Sequence, residues 1–168
     1  GSASGTSGRG GNVIVNGGYV KAVGNGSGYG IGNGGNKTPY GAITINGGSV
    51  DATLGTTPNN DPSFDAFNNS GTIPATKYNQ YLVETTVDGI TDEQDVEYSL
   101  VSDNDTGAEK KIKTRTDKNG KLYLYANAGN QWIRVYKNGT TYYRYSKVDS
   151  MSKNTFNCTN NTEISVSS

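Results

Sequence analysis

The chain has no histidine and a single cysteine among its 168 residues. Without imidazole, serine-histidine and cysteine-histidine catalysis are excluded, because no base stands beside a nucleophile. The usual zinc ligand sets fall with it, and one thiol, Cys158, cannot close an internal disulfide. Fifteen basic and fifteen acidic residues cancel, so no positive field is offered to nucleic acid or to an anionic membrane surface. No apolar run is long enough to insert into a bilayer, and no charged segment followed by an apolar one reads as a signal peptide. Helical periodicity is absent as well, and with 32% apolar residues any core must be thin.

Glycine is what the chain has in plenty, with 24 residues, and it is organised. Gly11 to Gly24 reads GNVIVNGGYVKAVG, and Gly41 to Gly55 reads GAITINGGSVDATLG, a step of 30 residues. A further step reaches Gly71-Thr72-Ile73, where Pro74 stops the pattern. Val13 and Val15, then Ile43 and Ile45, recur at every second position, as one face of a strand requires. Asn16-Gly17-Gly18 and Asn46-Gly47-Gly48 follow, suited to a corner because Gly and Asn tolerate positive φ. Alternation then resumes with Val20 and Ala22, and with Val50 and Ala52.

An Asn-Gly between alternating runs is also a hairpin signal, so a β-meander competes with a stacked coil. The fixed period favours stacking, with Val13 above Ile43, Val15 above Ile45, Val20 above Val50 and Ala22 above Ala52. Gly28 to Gly32 would supply a third side, and Asn36 to Pro39 an outward loop. The chain begins inside a repeat, and two coils are fewer than such stacks need, so a C-terminal piece of a longer protein is expected. Its exposed edge would pair with missing N-terminal coils or with another chain.

From Tyr78 the pattern changes. Tyr81 to Val87, Val96 to Val101, Lys110 to Thr116, Lys121 to Ala126, Trp132 to Lys137 and Thr140 to Lys147 each read as a short strand, separated by Asp, Asn and Gly turns. Six such strands without a helix predict a small antiparallel sandwich. A two-residue turn at Asn138-Gly139 sets the last register: Lys137 opposite Thr140, Tyr136 opposite Thr141, Arg134 opposite Tyr143, Trp132 opposite Tyr145. Ile133, Val135 and Tyr142 then face the core. The opposite face is a ladder of Trp132, Arg134, Tyr136, Tyr143 and Tyr145.

That ladder reads in two ways. It is the outside of a sheet, held by cross-strand aromatic pairs and by Arg134 over Tyr143, a cation–π contact of about 0.5–1 kcal/mol. Alternatively its rings, flat with polar edges, form a platform for sugar. Carboxylates for glycoside hydrolysis would have to come from Asp61 and Asp65, or from Asp92, Glu93 and Asp95, and clusters of this kind are ordinarily solvated turns. Calcium is the metal an oxygen-rich chain would take, with Asp103 and Asp105 in SDNDTG as the candidate loop; no other cofactor is called for. The tail, DSMSKNTFNCTNNTEISVSS, offers only Ile164 to Val166 as a hint of a strand.

The series GYGIGNGG and GAITINGGSVDATLG resembles the repeats of Gly-rich β-helical surface proteins of anaerobic and gut bacteria, often labelled adhesins or carbohydrate-binding domains. TRTDKNGKLYLYANAGNQWIRVYKNGTTYY resembles hairpins of small sandwich modules on bacterial surface proteins. With the resemblance over about residues 1–56, the period and the strand pattern imply an all-β chain: a short right-handed parallel β-solenoid of about two coils over residues 1–75, a small antiparallel β-sandwich over 76–149, and a polar tail over 150–168. The resemblance implies a non-enzymatic extracellular module of the bacterial surface, for adhesion or binding of host-surface glycan. The rivals are a stalk and cap without ligand, and a polysaccharide-degrading enzyme or phage tail spike.

Overall fold

A computed structural model describes residues 13–24, 30–31, 43–53, 81–103, 105–149 and 154–160, and every element in them is a strand. The chain is all-β there, in three sheets.

Strands β1 (Val13–Val23) and β2 (Ile43–Thr53) pair in parallel. Val13 lies beside Ile43, Val15 beside Ile45, Val20 beside Val50 and Ala22 beside Ala52, the register that the 30-residue step predicts. A meander would have needed antiparallel pairing around Asn16-Gly17, and these residues make none. The Asn-Gly-Gly triplets do not split the strands; each shifts the register within one continuous strand, between Val15 and Tyr19. Gly18 and Gly48 take φ of 79° and 99° there. The shift also moves the inward face from Val15 to Val20, across an odd number of residues, and Val15, Ile45, Val50 and Ala52 close into one small core. Val13, Val20, Ile31 and Tyr125 pack around it. Asn46 Nδ2 donates to Asn16 Oδ1 at 2.8 Å, so like polar groups stack as well as like apolar ones.

Seven further strands follow: β3 (Tyr81–Val87), β4 (Asp95–Ser102), β5 (Ile112–Arg115), β6 (Lys121–Ala126), β7 (Gly129–Lys137), β8 (Thr140–Val148) and β9 (Asn154–Cys158). They form a three-stranded sheet in the order β6-β3-β9 and a four-stranded sheet in the order β5-β4-β7-β8. Val83, Leu122 and Leu124 from the first sheet share one core with Val96, Tyr98, Ile133 and Val135 from the second, each at 5% exposure or less. Two elements depart from the sequence reading by more than one residue at an end. β5 is shorter than Lys110 to Thr116, and β7 begins three residues early, at Gly129, because Gln131 is still paired to Ser146 and to Ser102.

The larger difference is β9, which lies in what reads as a polar tail. It pairs in parallel with β3, from Val83 with Asn154 to Val87 with Cys158. Asn154 is buried and donates through Nδ2 to the carbonyls of Leu82 and Asp149, both at 3.1 Å. One residue on, Thr159 exchanges both backbone hydrogen bonds with Tyr143 of β8, at 2.7 and 3.1 Å, and so ties the two sheets together on that side.

On the other side the edge strands β5 and β6 are covered by β1 and β2. Tyr123 N–H, pointing out of the β6 edge, donates to Ser49 Oγ at 2.8 Å. Ser49 N–H donates to Thr114 Oγ1 at 3.0 Å, and that hydroxyl donates to the Gly18 carbonyl at 2.7 Å. An edge strand left open is a template for unwanted pairing, and these contacts blunt both edges at once. Gly71 to Ile73, Asn36 to Pro39, Asp61, Asp65 and Ile164 to Val166 lie outside the described residues, as does the boundary at 75/76.

Candidate functional site: the outer face of the four-stranded sheet

Alternation along β7 buries Ile133 and Val135 completely, so Trp132, Arg134 and Tyr136 must face outward. The turn at Asn138-Gly139, with φ of 50° and 80°, fixes which residues lie beside them. Trp132 pairs with Tyr145, Arg134 with Tyr143, Tyr136 with Thr141 and Lys137 with Thr140, all four as the sequence predicts. From the other flank β4 sets Val101, Ser99 and Glu97 beside the same three residues.

The rings touch. Trp132 and Tyr145 have centroids 5.0 Å apart at a tilt of 45°, and Trp132 meets Tyr143 edge-on at 6.4 Å and 82°. The cation of the ladder sits differently from expectation: Arg134 lies over Trp132, 5.4 Å from the ring centroid, rather than over Tyr143. Indole has the strongest ring quadrupole of the aromatic side chains, which favours this choice.

All five side chains are half-buried, and the loop between β4 and β5 folds back onto three of them, Arg134, Tyr136 and Tyr145. Glu109 Oε1 accepts from the hydroxyls of both Ser99 and Tyr136 and lies 3.6 Å from Arg134 Nη1. These partners hold its carboxyl below the usual range, the Ser99 hydrogen bond first among them. Lys111 Nζ stands 4.0 Å above the Tyr136 ring. At the far end Tyr145 donates its hydroxyl to Asp103 Oδ2 at 2.6 Å, which raises the phenol's pKa. The loop therefore anchors the rings by their tips, and it occupies one face of Tyr136. At the other end the loop meets the Tyr145 hydroxyl alone, and Trp132 is packed by Arg134, Tyr143 and Tyr145 instead.

Asp103, a calcium candidate, is thus the acceptor for Tyr145. Asp105 turns inward on its own loop, its Oδ1 accepting from Gly107 N–H at 3.0 Å and its N–H donating to the Ser102 carbonyl at 3.0 Å. Asn104 between them lies outside the described residues. Among the described residues no group of three or more His, Cys, Asp or Glu side chains is placed to hold a metal ion. The second acidic loop is also engaged: Asp92 accepts from Gln94 Nε2 at 2.6 Å, and Arg115 bridges Asp95 at 3.1 Å and Glu93 at 3.8 Å.

Glu109, Ser99 and Lys111 are the residues that sequence reasoning missed. GAEKK carries charge but no periodicity, so its return over the ladder had no local signal; only Ser99, at an outward position of β4 and yet small, hints that something covers it. No protein-family model matches this chain, and no curated protein matches it at a significant level.

Proposed function

We propose that this chain is a non-catalytic module of the bacterial cell surface for adhesion or carbohydrate binding, built as coils of a right-handed β-solenoid followed by a small β-sandwich. The observation that carries the binding reading is the Trp132 and Tyr145 ring pair, set on a rigid sheet and anchored by Asp103 and by Arg134. Sugar recognition uses flat rings with polar edges, and rings already fixed lose little freedom when a ligand arrives. In-register parallel pairing at a 30-residue step supports the solenoid, and the shared core of the two further sheets supports the sandwich. Glycan on a host surface is the partner class, and the site is extracellular. Calcium at Asp103 and Asp105 would compete with Tyr145 for the first of these carboxylates.

A second reading has its own support. Ser49, Thr114 and Tyr123 bind the repeat sheet to the edges of the other two, as a cap closes a stalk. On that reading the ladder is sheet packing and no ligand exists. A polysaccharide-degrading enzyme or phage tail spike is the third, and it needs a carboxylate pair across a cleft.

Binding of the full chain to a broad glycan and mucin array, beside Trp132→Ala, tests the proposal. Saturable binding lost in the variant supports a lectin-like face. No binding by either chain leaves the stalk and cap, and release of reducing ends from a bound polysaccharide would turn the reading to an enzyme.

A further inference from the structure

A cleft of about 690 Å³ opens where the corner of β1 meets the end of the four-stranded sheet, next to the β7–β8 turn. Sites for small ligands commonly fall at roughly 300–1,000 Å³, so this one has room for a short oligosaccharide. Tyr136 belongs to both the ladder and the cleft wall.

The chemistry of the cleft follows from which of its groups are already satisfied. Arg115 is neutralised by Asp95 at 3.1 Å, and Lys137 Nζ donates to the Asp95 carbonyl at 3.0 Å. Four polar side chains on the wall have no hydrogen bond or ion pair among the described residues: Tyr19, Glu97, Lys113 and Asn138. Glu97 and Lys113 lie opposite each other in the β4–β5 register, and Glu97 lies beside Tyr136 on its other flank. The free set is therefore one carboxylate, one ammonium, one amide and one phenol, and around the cleft the carboxylates of Glu93, Asp95 and Glu97 balance the cations of Lys113, Arg115 and Lys137. An anionic ligand would meet Glu97 unpaired, and a cationic one would meet Lys113. Hydroxyl groups both donate and accept, so a neutral polyhydroxylated ring satisfies both signs together, with the rings of Tyr19 and Tyr136 as apolar flanks.

We propose that this cleft is a subsite for a short neutral glycan. The proposal rests on the carbohydrate-binding reading and adds to it the site, its polar groups and the uncharged class of sugar.

The test is an amide NMR titration of the full chain with cellotriose, maltotriose and N-acetyllactosamine, and with trigalacturonate as an acidic comparison. Shifts at Gly18, Tyr19, Glu97, Lys113 and Asn138 are expected with a neutral sugar, and Glu97→Gln and Lys113→Met should each weaken binding about tenfold with unchanged melting temperature. Shifts confined to Trp132 and Tyr145, insensitive to both variants, overturn the cleft and leave the lectin reading standing. Tighter binding of trigalacturonate in the cleft overturns the neutral class. If no sugar moves any amide, the cleft and the carbohydrate reading fall together.

Discussion

The hydroxyl of Tyr98 accepts a hydrogen bond from the backbone N–H of Gly48 at 2.8 Å, across 50 positions of sequence. Tyr98 sits in the core between the two larger sheets at 2% exposure, and its far end emerges under the second Asn-Gly-Gly corner. Burial pushes its phenol up to about 12, while the Gly48 hydrogen bond acts in the other direction. Tyr98→Phe leaves that N–H buried without a partner, a cost of about 1–3 kcal/mol. Urea unfolding should register the loss, and the Gly48 amide should exchange faster; an unchanged exchange rate at Gly48 would mean the corner is held by other contacts.

The two corner glycines differ in a way that separates strain from steric conflict. At Gly18, with φ of 79°, a Cβ would meet nothing within 4 Å. At Gly48, with φ of 99°, it would stand 2.8 Å from Gly17 C and from the Gly18 carbonyl oxygen, both backbone atoms that cannot step aside. Gly18→Ala should cost about 1–2 kcal/mol from left-handed geometry alone. Gly48→Ala should cost about 3 kcal/mol or more, because the stacked corners would have to separate. Equal losses of stability in the two variants would contradict this close stacking.

Asp51 faces the same junction, buried beside β6, with Oδ1 lacking any hydrogen bond among the described residues. Burial raises its pKa above 3.8; Lys21 pulls it down, and Asp117 and Glu84 push it further up. Between 3.8 and the raised folded value, the folded state thus holds a proton that the unfolded chain has released. Stability from this group is present at low pH and is lost as pH rises from about 3.8 through the raised folded value. Asp51→Asn removes the buried charge and keeps the shape. Its melting temperature should exceed the parent's at neutral pH, and the gap should close toward pH 3, where the parent is protonated too.

What the sequence made legible was whatever depends on period and turn. The step from Val13 to Ile43 and the two-residue turn at Asn138-Gly139 each leave one register in which apolar faces agree, and the structure adopts both. The contacts between segments were hidden for the converse reason. Ser49, Thr114 and Tyr123 are ordinary polar strand residues until three strands from distant positions bring them within 3.0 Å. β9 was hidden because NTFNC buries an asparagine and a cysteine at its ends, leaving only Thr155 and Phe156 as residues that read as strand-like.

Cys158 is fully buried at the end of β9, with Sγ 4.0 Å from the Ile133 carbonyl. Burial pushes its thiol up to about 12, so almost no thiolate exists at neutral pH. Native protein should resist thiol reagents and react only as fast as it opens. Cys158→Ser places a hydroxyl in the same apolar surroundings, at a cost of about 1–3 kcal/mol. Rapid labelling of folded protein at neutral pH would show that β9 detaches from β3 without global unfolding.

Glu109 couples the loop to the ladder, and the sole tryptophan reports on it. Its carboxyl is held below the ordinary value of 4.5 by Ser99 and Tyr136. For an acid whose folded pKa is depressed, the stabilising interaction is complete above the unfolded value and is lost as pH falls through the folded one. Acidification below about 4.5 should therefore remove the charge facing Arg134, and Arg134 lies over Trp132. The emission of Trp132 should shift in that range before the far-ultraviolet signal of the sheets changes. Glu109→Gln keeps an acceptor for the hydroxyls but gives up the charge facing Arg134, so its emission at neutral pH should already resemble the acidified parent. An emission curve that is identical in the two proteins would mean that the loop leaves the indole untouched, and that Trp132 is positioned by Tyr145 and Tyr143 alone.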